Sequence, residues 1–254
     1  MVLKTPQALP KTIVYPEIAV INESTVVSNA LAASVTGALR VQVERDFAPE
    51  WGLMATINFY PDKTKVKPAA WQFVLLDDAD QAGALGYHEV TPNGQPLGKV
   101  FVKTSTQNHI AWSTTASHEM LELLADSYTD LQTIVPTGNT TATLVAYEVC
   151  DPVENDSYAI GGVLVSNFVL PQWFEGDATA AHKWDFLGNL KAPLSLSPGG
   201  YMSVMQITTN KGWQQVTARD AYHGQVCRAD RPRALNAVQP ESYWNWFKQF
   251  LTKV

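Results

Sequence analysis

Apolar residues recur along the first half of the chain with two different periods. Between residues 26 and 47 they return every three or four positions, at Leu31, Val35, Leu39, Val43 and Phe47. This spacing predicts one long amphipathic helix, which the break at residues 49–52 should end. Shorter apolar runs predict strands at residues 12–15, 54–60, 71–76 and 99–103.

A second helix is predicted over residues 114–126, and hydroxyl side chains at residues 113–115 are candidates to cap its N-terminus. A Pro-Asn-Gly turn at residues 92–94 separates the glycine-rich segment 83–90 from the strand that follows. The order is strand, helix, three strands, helix. This order indicates an α/β (α+β) fold in which the long helix lies behind a mixed sheet.

The pattern changes to short apolar runs in the second half of the chain. After a candidate strand at residues 141–147, short strands and loops are predicted at residues 162–166, 168–170, 201–207 and 213–216. Residues 241–251 predict an aromatic amphipathic helix that either caps the core or docks on a partner subunit. We therefore expect a first lobe at residues 1–130 and an irregular β-rich lobe at residues 131–254.

Composition narrows the class of protein. The chain has 254 residues, 46% of them hydrophobic, which is enough for a substantial core. Its net charge is −6 and no run of lysine or arginine exceeds two residues, so no nucleic-acid partner is expected. No apolar run approaches the ~20 residues of a membrane span, and residues 1–10 lack the features of a secretory signal. We expect a soluble protein, cytoplasmic or exported without a classical signal.

The candidate chemistry lies in the second predicted helix. His118 and Glu122 are four residues apart and share one helix face, so an imidazole and a carboxylate can hold one metal ion. Glu119, beside His118, would be free to accept a proton from water. A competing interpretation is that Glu119 and Glu122 are ordinary acids of a first helical turn, where their charge complements the helix dipole.

This arrangement resembles the zincin metallopeptidases over roughly residues 10–130, with Glu122 in place of their second histidine. The resemblance implies a metal-dependent hydrolase, a peptidase that acts through a metal-activated water with Glu119 as the base. Other segments, at residues 147–154, 166–174 and 198–204, are similar to uncharacterised bacterial and phage-borne proteins. The alternative is a non-catalytic structural or assembly component, for instance of a virion, with a degenerate site.

Further ligands are expected downstream of this helix. Glu148, Asp151 and Glu154 follow the strand at residues 141–147, and they are either a solvated acidic turn or the closing side of a metal site. The candidate ligands are His118, Glu122, Glu148 and Asp151. Asp126 lies eight residues after His118, about 12 Å along a straight helix, which is too far to share one ion. Zinc is the first candidate metal, and manganese and calcium are alternatives because carboxylates suit harder cations.

Two further residues allow two interpretations each. His88 lies in the segment where the resemblance implies a substrate or metal contact, but isolated histidines are usually surface or hydrogen-bonded groups. Cys150 is either a soft ligand or a small buried apolar residue. The expected partners are a peptide or protein substrate, or partner subunits in an assembly.

Overall fold

The computed structural model describes residues 15–137, 141–175, 183–207 and 212–218. Strand β1 (Glu17–Asn22) leads into helix α1 (Asn29–Val41), whose N-terminus is capped because the Ser28 side chain accepts a hydrogen bond from the Leu31 N–H. The helix continues through a π-helical segment (Gln42–Phe47) into α2 (Ala48–Trp51). It ends at Gly52, which has a left-handed backbone (φ 67°). The long helix predicted at residues 26–47 is therefore confirmed, with a later start and a later end.

Five strands form one mixed sheet in the order β2–β1–β3–β5–β4. Strands β2 (Thr56–Tyr60), β3 (Trp71–Leu76) and β5 (Pro96–Phe101) run parallel to β1, and β4 (Gly86–Val90) is an antiparallel edge strand. The α+β class is confirmed. The strand predicted at residues 12–15 lies outside the described residues except for Tyr15, and the first described strand, β1, starts at Glu17.

Two helices follow the sheet, α3 (Val102–Gln107) and α4 (Trp112–Ala125). The strand predicted over residues 99–103 is therefore too long, because α3 already begins at Val102. The predicted hydroxyl cap of α4 is also wrong. Its N-cap residue is Ala111, and the Ser113 hydroxyl donates instead to the carbonyl of Leu164, 2.8 Å away. Helix α4 thus begins six positions before His118.

The main core lies between the sheet and the helices α1 and α4. It joins Ile18 and Val20 of β1, Leu39 of α1 and Met120 of α4, all of them buried. Burying such a side chain stabilises the fold by about 1.5–3 kcal/mol. Among the described helices, none combines the length and the apolar character needed to cross a membrane.

Strands are the main regular elements in the rest of the described chain. An antiparallel sheet has the order β11–β10–β7–β6, and β8 and β9 form a separate hairpin. The strands are β6 (Gln132–Pro136), β7 (Ala142–Ala146), β8 (Ser157–Ile160), β9 (Val163–Ser166), β10 (Tyr201–Gln206) and β11 (Gln214–Thr217). Short 3₁₀ turns span Lys63–Lys65, Asp151–Val153 and Pro171–Phe174.

These strands confirm the predictions at residues 141–147, 162–166, 201–207 and 213–216 to within two residues. The run at residues 168–170 is not a strand, since its ladder is a single bridge between Val169 and Asp185. The helix predicted over residues 241–251 lies outside the described residues. The division of the chain at residue 130 stays a prediction, although Trp173 belongs to the same buried cluster as Met120.

Candidate metal centre

Helix α4 carries three ionisable side chains into the interior, where it packs against β4, β5 and β9. His118 is 1% exposed, and Glu119 and Glu122 are each 3% exposed. No acidic residue lies in the first turn of the helix. The interpretation of Glu119 and Glu122 as ordinary first-turn acids is therefore wrong. Buried carboxylates are costly unless they are paired or bind a cation, so this position needs a chemical explanation.

His118 meets two carboxylates from different parts of the chain. Its Nε2 lies 3.0 Å from Glu122 Oε2 and 3.1 Å from Asp151 Oδ1. Two ligands that are each about 2.1 Å from one ion lie about 3.0–3.4 Å apart at bond angles of 90–110°. The distances from His118 to each of the two carboxylates therefore match those between ligands of one ion. Because Asp151 and Glu148 are both buried, a solvated acidic turn is the wrong interpretation for them.

Each of the first two candidate ligands has a polar neighbour on its far side. The other ring nitrogen of His118, Nδ1, lies 3.3 Å from Glu154 Oε2. Histidines that bind metals commonly donate this second N–H to a carboxylate, which orients the ring. Glu122 Oε1 accepts a hydrogen bond of 3.1 Å from the backbone N–H of Cys150. Cys150 is buried, and its thiol lies close enough to His118 and Glu122 to complete a ligand group with them.

His88 enters the cluster from the edge strand. Its neighbours in β4, Tyr87 and Glu89, both contact Lys99 on the opposite face of the sheet. Since alternate side chains of a strand point to opposite faces, His88 faces α4. Its Nδ1 lies 3.7 Å from Glu119 Oε2 and 3.9 Å from Glu122 Oε2. His88 is 3% exposed, so the surface interpretation is wrong; contact with substrate stays a prediction.

A close approach of β4 to α4 makes this arrangement possible. A Cβ atom on Gly86 would lie 2.8 Å from Cγ of Glu119 and 2.9 Å from the carbonyl oxygen of Lys99. Such separations are too short for carbon against carbon or oxygen. Glycine at position 86 therefore lets the strand lie directly on the helix beside Glu119.

The Asp126 side chain binds the loop that follows the C-terminus of α4. It is buried, and its carboxylate accepts hydrogen bonds from the backbone N–H groups of Asp130 and Leu131 at 3.0 and 3.1 Å. These contacts order the loop that follows α4. Asp126 therefore has a structural role at the end of the helix, apart from the cluster around His118.

The surroundings of the cluster shift its proton equilibria. Burial raises the pKa of Glu122 to about 8, reinforced by the charges of Asp151 and Glu148 and opposed by His118. Burial also raises the pKa of Asp151 above its ordinary value, against its contact with His118. Burial alone would lower the pKa of His88, but the contact with Glu119 and the charges of Glu148 and Glu122 raise it to about 9.

These shifts describe a site that favours positive charge. Among the described residues, no lysine or arginine forms an ion pair with Glu119, Glu122 or Asp151. The raised pKa values of Glu122 and Asp151 favour their protonated forms when no other cation is present. A divalent cation would replace these protons. The mixed imidazole and carboxylate donors suit zinc or manganese, and they suit calcium less well because calcium takes oxygen ligands. The residues present therefore fit a metal ion.

A buried polar network behind the helix was not predicted. The Ser117 hydroxyl donates to Gln42 Oε1 at 2.6 Å and accepts from the N–H of Ser166 at 2.8 Å, while Gln42 Nε2 donates to the Ser166 carbonyl at 2.8 Å. The network ties α4, directly before His118, to the π-helical segment and to β9. The sequence feature that could have indicated this network is Gln42, a polar residue on the apolar stripe, three residues after Leu39.

Comparison of this chain with protein-family models, with curated proteins and with solved structures finds no match. A metal centre is therefore supported by the chain's own geometry. His118, Glu122 and Asp151 are buried, and His118 lies 3.0 and 3.1 Å from the two carboxylates.

Proposed function

We propose that this protein is a metal-dependent hydrolase, with a zincin-like peptidase as the first candidate. A divalent ion, with zinc the first choice, would be held by His118, Glu122 and Asp151. The observation that carries the proposal is the position of His118 Nε2 at 3.0 and 3.1 Å from carboxylates of two separate segments in a buried site. When bound, such an ion polarises a substrate carbonyl and makes water a better nucleophile at neutral pH.

Glu119 is the proton acceptor in this proposal. It follows His118 directly on α4, and its carboxylate lies at the same buried centre, between Gly86 and His88. A carboxylate there can take the proton of the attacking water and pass it to the leaving amine. Burial also keeps bulk water away from the reacting groups, which strengthens their electrostatic interactions.

The substitution Glu119→Gln tests this role because it keeps the size of the side chain and removes the proton acceptor. With the His118 site saturated with metal, cleavage of an unfolded protein or a peptide library should fall about a hundredfold or more. Glu89→Gln is the matched control, because Glu89 lies on the other face of β4 and should leave cleavage unchanged. Cleavage that survives intact in Glu119→Gln would exclude Glu119 as the base.

A second substitution tests the metal itself. His118→Ala should lose most of the bound metal while circular dichroism shows a retained fold. A folded wild-type protein that takes up less than about a tenth of an equivalent of any divalent ion would refute the site. A metal-loaded wild type that cleaves nothing in a broad library would instead favour the non-catalytic assembly component.

A further inference from the structure

Two histidines approach the same carboxylate oxygen from different elements. His118 Nε2 of α4 lies 3.0 Å from Glu122 Oε2, and His88 Nδ1 of β4 lies 3.9 Å from that oxygen. Each histidine belongs to its own group of possible ligands. His118 forms one group with Asp151 and Glu154 and another with Glu122 and Cys150, and His88 forms a group with Glu119 and Glu122; within each group the ligand atoms lie within 4.8 Å of one another.

We propose that this cluster holds two divalent cations that share Glu122. The first cation is that of the proposed function, on which this inference rests, at His118, Glu122 and Asp151. The second lies at His88, Glu119 and Glu122. His88 is then a ligand, and this role replaces the substrate contact expected from the sequence.

The spacing around His88 suits an ion better than direct contact. Its Nδ1 lies 3.7 Å from Glu119 and 3.9 Å from Glu122, both beyond hydrogen-bond length. Two ligands that are about 2.1–2.4 Å from one cation lie about 3.4–3.9 Å apart at a tetrahedral angle. His88 Nε2 is also buried and has no hydrogen-bond partner among the described residues. A buried histidine with these distances marks a position that protein atoms alone do not satisfy.

The two histidines have similar sets of neighbours at different distances. His118 has Glu122 and Asp151 at one ring nitrogen and Glu154 at the other, 3.3 Å away. His88 has Glu119 and Glu122 at one ring nitrogen and Glu148 at the other, 3.9 Å away. A carboxylate beside the far nitrogen is common at ligating histidines, and in His88 it lies beyond hydrogen-bond length.

Charge also favours a second cation. Glu119, Glu122 and Asp151 are buried, and among the described residues none of them pairs with lysine or arginine. One divalent cation offsets two of these three negative charges. The second cation would therefore bind in a site that is still negative, with two carboxylates and one imidazole as ligands. That donor set accepts manganese as well as zinc.

Two adjacent cations would extend the proposed chemistry, because one would acidify the attacking water while the other would polarise the substrate carbonyl. Paired metal sites about 3.5–4 Å apart occur in other hydrolytic enzymes, aminopeptidases among them. Glu119 has two carboxylate oxygens, and Oε2 is the one that approaches His88. The other oxygen can still accept a proton, so the role of Glu119 as a base is retained.

Titration of the metal-free protein with Mn²⁺, followed by electron paramagnetic resonance, tests the proposal. The wild type should bind two equivalents, and the second should replace the six-line spectrum of isolated Mn²⁺ with the signal of an exchange-coupled pair. His88→Asn should bind one equivalent without coupling. His109→Asn is the matched control, since His109 is exposed and its φ of 59° suits asparagine; it should behave as the wild type.

Saturation of the wild type at one equivalent would overturn the second site, and so would two equivalents that remain in His88→Asn. Two uncoupled ions would refute the shared Glu122. If His88→Asn does not fold, Glu119→Gln, which keeps the side-chain volume, should show the same loss of the second equivalent. A coupled pair in a protein that cleaves nothing would refute the hydrolase alone, whereas cleavage with a single ion would refute only the second site.

Discussion

The pKa values of acidic side chains are shifted in opposite directions in two regions of this protein. At the side of the sheet, Glu17 pairs with Lys67 at 2.7 Å and accepts hydrogen bonds from Tyr60 and Asn58, so its pKa falls to about 2. Asp77 accepts from Ser24 and Thr25, with the same result. In the centre, burial raises the pKa of Glu122 to about 8.

The opposite pKa shifts distinguish two kinds of carboxylate. Those of the first kind stabilise the fold in their charged form, whereas those of the second kind are costly to bury in that form. Glu17 and Asp77 are charged and satisfied by neighbouring donors, so they need no further partner. Glu122 and Asp151 are held among other acids by the packing of α4 and the 3₁₀ turn Asp151–Val153. Groups with strongly shifted pKa values cluster at functional sites, because a proton or a ligand must compensate their buried charge.

The largest expected effect is on metal affinity. Glu122→Gln should weaken Zn²⁺ binding at least about a hundredfold, since even groups that only orient a ligand are worth 10–100-fold. Glu17→Gln, a change of the same type in the other region, should leave the affinity unchanged. Competition titration with a chromophoric chelator measures both. If Glu122→Gln bound Zn²⁺ as tightly as the wild type, the carboxylates of the two regions would not differ in metal binding.

A smaller loss is expected when the far side of His118 is changed. Glu154 lies 3.3 Å from His118 Nδ1, and Glu154→Gln should weaken Zn²⁺ binding about 10–100-fold by releasing the ring orientation. The exposed Glu44 provides the control, and Glu44→Gln should have no effect. The same chelator titration would show unchanged affinity in Glu154→Gln if the contact did not orient the histidine.

Alanine substitutions at two glycines compare how closely the backbone is packed at the site and in α1. Gly86→Ala should destabilise the protein by about 1–3 kcal/mol, because the added methyl group overlaps Glu119 and the Lys99 carbonyl. Gly37→Ala, in α1 with no neighbouring atom within 4 Å, should stabilise it by about 0.5–1 kcal/mol. Urea unfolding measures both changes. Equal effects would show that β4 and α4 can separate without cost.

The smallest effects are in the pH dependence of the metal-free protein. Glu17 has a lowered pKa, so its contribution is present above pH 4.5 and is lost as the pH falls towards 2. Glu17→Gln should therefore destabilise by about 1 kcal/mol at neutral pH, as for a partly exposed pair, and by almost nothing near pH 2.

Glu122 should show the opposite sign. Its pKa is raised from 4.5 to about 8, so the folded state binds more protons than the unfolded state between these values. The stability of the wild type relative to Glu122→Gln should decline as the pH rises from about 4.5 to about 8. Chelator-treated protein and urea unfolding at several pH values provide the measurement. A difference that does not change with pH would contradict the raised pKa.

Local periodicity was sufficient for most of the elements. The apolar run at residues 71–76 coincides with β3, and the stripe from Leu31 to Phe47 lies in the long helix. Boundaries were less well determined, as for the start of α3 at Val102. A short apolar run satisfies either a strand or a helix, and the choice is made by the elements that it packs against.

The chain alone placed His118, Glu119 and Glu122 together, because residues three and four apart share a helix face regardless of the rest of the fold. Only the tertiary structure decided that this face is buried and brought it next to Asp151, 29 positions after Glu122, and to His88 of β4. Contacts between distant segments depend on strand order and on the approach allowed at Gly86, and no local pattern encodes them. The four-residue spacing of His118 and Glu122 suggested a ligand pair, and the fold turned it into a buried cluster of histidines and carboxylates.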